Sequence, residues 1–185
     1  MKNLLCLVAF LSLNTCLYAQ KAESTGEYCA VDTIKGSPAR ELSKNIGKNQ
    51  ITIKYYSPGV KGRVIWGGLV ANNKVWVTGA HYATNITFTQ DVKINGKVVK
   101  AGKYAFFTIP NKKEWTLIIN KNWEQHLADE YDEKDDVLRL SVKPEKLKTE
   151  VSRLAYYIVP QSEQAGKIAM AWEKVKVSFE VQNAE

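Results

Sequence analysis

The chain is poor in the residues that most catalytic chemistry uses. Of 185 residues, three are cysteine and two are histidine. A catalytic zinc centre needs three protein ligands, and His81 and His126 stand in no HExxH or other paired-histidine spacing. No metal and no cofactor are therefore expected. There is no GxSxG elbow, no SxxK motif and no phosphate-binding glycine loop. Gly67-Gly68 is a bare pair, ordinary in a β-bulge. Internal repeats and low-complexity tracts are also missing. So are blocks of like charge: 26 Lys and Arg stand against 19 Asp and Glu, a formal charge of +7, with the lysines spread along the chain. That spread suits solvated strand faces and argues against a nucleic-acid partner.

Long apolar runs are scarce too. Leu4 to Leu13 is the longest, too short to span a bilayer as a helix. With Lys2 before it and Leu17-Tyr18-Ala19 after it, residues 1–19 read as a secretory signal peptide. The expected location is periplasmic or secreted, with no transmembrane segment after cleavage. Acylation at Cys16 is the lesser alternative, because Thr15 is a poor residue to precede a lipoprotein cysteine. Cys6 and Cys16 leave with the signal. Cys29 then has no partner for an internal disulfide and no histidine near it in sequence, so it reads as a bystander thiol.

What the chain does have is apolar residues, 45% of the total, and a period of two. Residues 20–48 are polar and read as a lead-in; residues 49–182 read as one all-β domain. Ile51, Ile53 and Tyr55 alternate with Thr52 and Lys54, and Ile86 and Phe88 with Thr87 and Thr89. Val64 to Trp66 and Val75 to Thr78 read as two further short apolar strands. Asn95-Gly96 between Val92, Ile94 and Val98 predicts a tight hairpin, because both turn positions require positive φ. Tyr104 to Ile109 is apolar on both faces, which places that strand centrally. Trp123, Leu127 and Tyr131 at spacing four suggest a short helical turn. Along the last run, Ile168, Met170 and Trp172 share one phase and Val175, Val177, Phe179 and Val181 the other. That slip predicts a bulge near Glu173-Lys174. The fold expected is a single antiparallel β-sandwich, jelly-roll or Ig-like, or a flattened barrel.

Few residues stand out as chemistry. Arg63 follows Lys61-Gly62 at the edge of an apolar run, where a fixed guanidinium pairs with a carboxylate, of a ligand or of the protein itself. His81 follows Trp76-Val77-Thr78-Gly79-Ala80 and reads as a ligand contact, an acid or base, or a hydrogen-bonded loop residue. Trp66, Trp76, Trp115, Trp123 and Trp172 are either core or a stacking platform. The acidic residues at 129–136 lack the glycine and alternation of a calcium loop and read as a solvated turn.

These residues occur in a familiar order. Ser37-Pro38, Ile53 to Pro58, Lys61-Gly62-Arg63-Val64-Ile65-Trp66-Gly67, Val75 to Ala80, Ala83-Thr84 and Ala101 to Tyr104 leading to Thr108-Ile109-Pro110 resemble the bacterial family called domain of unknown function 2911. The resemblance runs from about residue 36 to 181. Where the family usually carries an asparagine and an acidic residue, this chain has His81 and Tyr82. The resemblance implies an exported bacterial protein and directs attention to Arg63, Trp76, Thr78, Gly79 and Thr84. It supplies no catalytic residues.

The expectation for function is a non-catalytic module that binds a small molecule, glycan or peptide at the bacterial envelope. The candidate ligand-binding residues are Arg63, Trp76, Thr78, His81 and Thr84. The alternatives are a hydrolase using carboxylates with His81, and a structural or assembly subunit of the envelope.

Overall fold

The computed structural model describes residues 32–184. The signal peptide expected at residues 1–19, and Cys6, Cys16 and Cys29, lie outside them. Ten strands follow in order: β1 (Ala39–Ile46), β2 (Asn49–Tyr56), β3 (Thr84–Phe88), β4 (Val92–Ile94), β5 (Lys97–Val99), β6 (Gly102–Ile109), β7 (Trp115–Asn120), β8 (Asp136–Val142), β9 (Glu145–Pro160) and β10 (Ala165–Asn183). They form two antiparallel sheets. One has six strands in the order β1-β2-β3-β6-β7-β8; the other has four in the order β5-β4-β10-β9. Among the described residues, no helix is long and apolar enough to cross a membrane.

The alternating apolar residues fill the space between the sheets. Ile51 pairs with Phe88 and Ile53 with Ile86; Thr84 then pairs with Phe106, Phe106 with Ile119, and Ile119 with Leu138. These side chains meet Ile168, Met170, Trp172, Val177, Phe179 and Val181 from β10 in one core. The predicted hairpin is present: Asn95 and Gly96, both at positive φ, join β4 to β5. The predicted slip in the last strand is also present. Register shifts flank Glu173, which sits at φ 55°, and the core residues change there from even to odd positions while both sets enter the same core.

Strand β6 is covered on both sides. Tyr104 and Phe106 enter the main core. Ala105 and Phe107 enter a second cluster on the outer face of the six-stranded sheet, with Val77, Ala83 and Ile118. The loops on either side of residues 80 and 125 roof this cluster, so the second core comes from irregular backbone.

Three expectations are corrected. Strand β1 lies inside the segment read as lead-in to residue 48. It is an exposed edge strand whose Arg40, Glu41, Ser43 and Lys44 face solvent, so it carries no apolar alternation to detect. Val64 to Trp66 and Val75 to Thr78 are not strands of either sheet. The first is a turn, closed by Leu69 N–H to Val64 O and Val70 N–H to Ile65 O at 2.9 Å each. The second makes a single bridge, Trp76 to Thr108. Gly62 and Gly67, both at positive φ, turn the chain on either side of the first, and Gly79 follows the second. Lastly, Trp123 to Tyr131 form turns and not a helix. Leu127 sits at φ 49°, and its N–H is drawn to His81 O at 2.6 Å. A tertiary hydrogen bond there outweighs the weak propensity of so short a segment.

The chain before β1 is tied down by Arg153 of β9. Its Nε donates to Asp32 Oδ1 at 2.8 Å, and its terminal nitrogens donate to the carbonyls of Ile34, Gly36 and Ser57. The guanidinium beside Asp32 holds its carboxyl below the usual carboxylate range. A carboxyl whose folded pKa is depressed stabilises the fold above its ordinary value of about 4, and loses that contribution as pH falls through the folded value. Wild type and Asp32→Ala are therefore expected to differ in urea midpoint at neutral pH and to converge in acid. A constant gap across the pH range would contradict the pairing.

Candidate functional site

The segment from Val75 to Thr84 is held by a knot of buried hydroxyls. Thr78 Oγ1 donates to Trp76 O at 3.2 Å and meets Thr108 Oγ1 at 3.1 Å. The carbonyl of Thr78 accepts from Thr84 Oγ1 at 3.1 Å and from Tyr156 Oη at 2.7 Å. Burial pushes the Tyr156 phenol pKa well up, so the hydroxyl keeps the proton it donates. Thr78 adopts φ 52° and His81 φ 60°. Left-handed backbone is uncommon for any side-chain-bearing residue and an outlier for β-branched threonine, and it persists only where the surroundings over-determine it. Here the surroundings are Thr84, Thr108 and Tyr156, from three different strands. The knot fixes a backbone that local preference would abandon.

What the knot presents is a pocket of about 280 Å³. Arg63, Trp76 and His81 line it, with Leu69, Leu127 and Trp172. Arg63 is held from behind: Nε donates to Val60 O at 3.2 Å and Nη2 to Gly59 O at 2.5 Å. It makes no ion pair among the described residues, and no acidic residue lines the pocket. His81 is exposed, set edge-on to Tyr56 with ring centroids 5.1 Å apart. Its ring makes no hydrogen bond among the described residues.

The wall behind the pocket is a cluster of four tryptophans. Trp76 stacks on Trp172 at 5.8 Å and 20°. Trp66 sets its ring edge-on to Trp76, Trp115 and Trp172 at 5.8, 4.8 and 5.8 Å. Trp76 Nε1 donates to Gly79 O at 3.2 Å. The indole N–H groups of Trp66 and Trp172 are buried without an acceptor among the described residues.

Of the five candidate residues, Arg63, Trp76 and His81 thus converge on one pocket. Thr78 and Thr84 do not line it; they are fully buried beneath it as its support. Sequence reasoning missed Leu69 and Leu127, whose only signal is apolar side chains in otherwise polar turns, and Tyr156, whose strand gives no sign of its long-range partner. Among the described residues no group of three His, Cys, Asp or Glu side chains is placed to hold a metal ion. The acidic segment is structural: Asp136 accepts from Asn120 Nδ2 at 2.8 Å, from Tyr131 Oη at 2.7 Å and from Arg139 Nη1 at 3.0 Å.

Fold and site together define an antiparallel β-sandwich whose connecting loops build most of the pocket, with Trp172 of β10 as its strand wall. The chain belongs to the family DUF2911, described as a protein of unknown function, whose profile matches residues 37–181. No curated protein and no solved structure matches it.

Proposed function

We propose that the protein is a non-catalytic binding module that takes a small organic acid, a carboxylate on an apolar body, in the pocket of Arg63 and His81. The observation that carries this reading is the state of Arg63. It is a guanidinium aimed by two backbone carbonyls, without a carboxylate partner among the described residues, on a pocket whose walls include Leu69, Trp76, Leu127 and Trp172. A cation already fixed in place loses little freedom when it binds, and a charge-assisted bond to a carboxylate is the strong kind. The apolar walls would cover the rest of the ligand.

The hydrolase alternative finds less support. General acid–base chemistry needs a histidine oriented by a second group, and the His81 ring contacts Tyr56 without a hydrogen bond to any carboxylate among the described residues. Work at the bacterial envelope rests on the signal-like sequence of residues 1–19 and is part of the proposal.

Titration with hexanoate and with its uncharged counterpart hexanamide tests it, followed by amide NMR. Hexanoate is expected to perturb Trp76, Gly79 and His81, and hexanamide to bind far more weakly. Arg63→Ala is expected to weaken hexanoate binding by roughly 10- to 100-fold, the loss of a charge-assisted hydrogen bond. Equal binding of acid and amide, or an unchanged affinity in Arg63→Ala, would remove the reading.

A further inference from the structure

A second and larger concavity, of about 570 Å³, lies on the outer face of the six-stranded sheet. It exists because the loops roof the face over β6 and β7 and leave the face of β1 and β2 open. Residues 79–83 separate it from the pocket described above: His81 lines one and Tyr82 the other.

Four aromatic residues line this groove: Tyr55, Tyr56, Tyr82 and Trp123. The rings of Tyr56 and Tyr82 lie 6.1 Å apart with a tilt of 38°, and Tyr82 is 56% exposed. Trp123 is steadied from one side by Lys103, whose Nζ sits 3.3 Å from the ring centroid. The charged lining residues cancel. Arg40 and Lys54 stand against Glu41 and Glu124, and Lys54 pairs with Glu41 at 3.2 Å. The groove therefore favours neither sign of ligand.

Two amides add direction. Gln125 is 2% exposed, the only deeply buried polar side chain of the lining. Its Nε2 donates to Asn122 O at 2.7 Å, which fixes which end of the amide is nitrogen. The other end, Oε1, is buried and receives no hydrogen bond among the described residues. A native buried acceptor left alone among the described residues calls for a further donor, such as a water or a ligand hydroxyl. Asn85 repeats the pattern: Nδ2 donates to Ala83 O at 2.9 Å and Trp123 O at 3.0 Å, so both protons are used and its Oδ1 is left to accept.

We propose that this groove binds a neutral oligosaccharide. A sugar ring offers an apolar C–H face to an aromatic ring and hydroxyl donors at its edge, and it carries no charge. Aromatic faces, two waiting amide acceptors and balanced charge match all three properties. The organic acid proposed for the first pocket has no donor for Gln125 Oε1 or Asn85 Oδ1, so the two sites select different chemistry.

The test uses the full chain and follows the side-chain amide signals of Asn85 and Gln125 by NMR. The probes are hexasaccharides of the cello, xylo, malto, manno, laminari and chito series, with hexagalacturonate as the charged comparator. At least one neutral hexasaccharide is expected to shift both amides and to bind more tightly than hexagalacturonate. Tyr82→Ala, a change at an exposed ring, is expected to weaken that binding by roughly three- to ten-fold, the share of one aromatic contact. Arg63→Ala is expected to leave it unchanged, which separates this site from the first. If no neutral probe moves either amide, if hexagalacturonate is preferred, or if Tyr82→Ala binds like wild type, the proposal fails.

Discussion

Truncating Trp172 to alanine is expected to lower the unfolding free energy by roughly 3–5 kcal/mol. Trp172 is 1% exposed and is the largest of the fully buried side chains. It touches two other members of the tryptophan cluster, stacking on Trp76 and meeting the edge of Trp66. Deleting it removes both contacts and leaves a cavity whose walls are stiff rings, which collapse poorly. Domains of this size are stable by about 5–15 kcal/mol, so the loss is a large share of the total. Trp172→Phe separates packing from polarity. The Trp172 N–H has no acceptor among the described residues, so phenylalanine orphans no partner and leaves a smaller void. It is expected to cost about 1–2 kcal/mol, within the range for apolar swaps of unequal volume. Urea unfolding of the two variants checks this. An alanine variant within 1 kcal/mol of wild type, on the order of a minor surface change, would mean that the cluster is not packed as described.

How much of this architecture is legible in the sequence depends on where each constraint acts. Where one strand face is buried and the other wet, alternation is written into the residues. Ile51-Thr52-Ile53 and the two phases of β10 around Glu173 are read correctly for that reason, and so is Asn95-Gly96, where the turn itself dictates residue type. Strand β1 is illegible because backbone hydrogen bonds to β2 hold most of its length at the sheet edge, and only Leu42 and Ile46 reach the core. Val75 to Thr78 misleads in the opposite way. Its apolar residues are buried or half-buried, but in the roof over the outer face of β6 and β7, and burial alone does not distinguish a strand from a loop that covers one.

The site divides along the same line. Arg63, Trp76 and His81 are visible as residue types in suggestive positions, and they do converge. Thr78 and Thr84 are marked only by resemblance, and their part is to hold backbone, through partners as distant as Tyr156. The second groove has no local signature. Tyr56, Tyr82, Asn85, Trp123 and Gln125 come from separate segments, brought together by the pairing of β2 with β3, the bridge between Tyr82 and His126, and the bond from Asn85 to Trp123 O. Register over such separations is a property of the whole chain and cannot be read from any window of it.

The same non-local dependence sets the other large effect, at the corner where the sheets meet. Gly47, at φ 57°, turns β1 into β2, and a Cβ built on it would land against the backbone carbonyl of Glu163, in the turn between β9 and β10. The corner is sewn by two asparagines. Asn49, fully buried, accepts from the N–H groups of Thr89 and Gln90 at 3.1 and 3.2 Å and donates to Asn183 Oδ1 at 3.1 Å. Asn183 Nδ2 in turn donates to Ile46 O at 2.9 Å and Glu163 O at 3.1 Å. Gly96 provides the control: it has φ 77°, and nothing lies within 4 Å of a Cβ placed there. Gly96→Ala is expected to cost about 1 kcal/mol, the strain of a left-handed alanine alone. Gly47→Ala adds overpacking against a backbone that cannot rotate away, for a total of roughly 2–4 kcal/mol. Moving Glu163 to make room stretches the Asn183 bond and, through it, the link to Asn49. Unfolding midpoints of the two variants measure the difference directly. Equal costs would mean that the Glu163 turn yields freely, and that the sheets are joined at this corner by less than the asparagine relay implies.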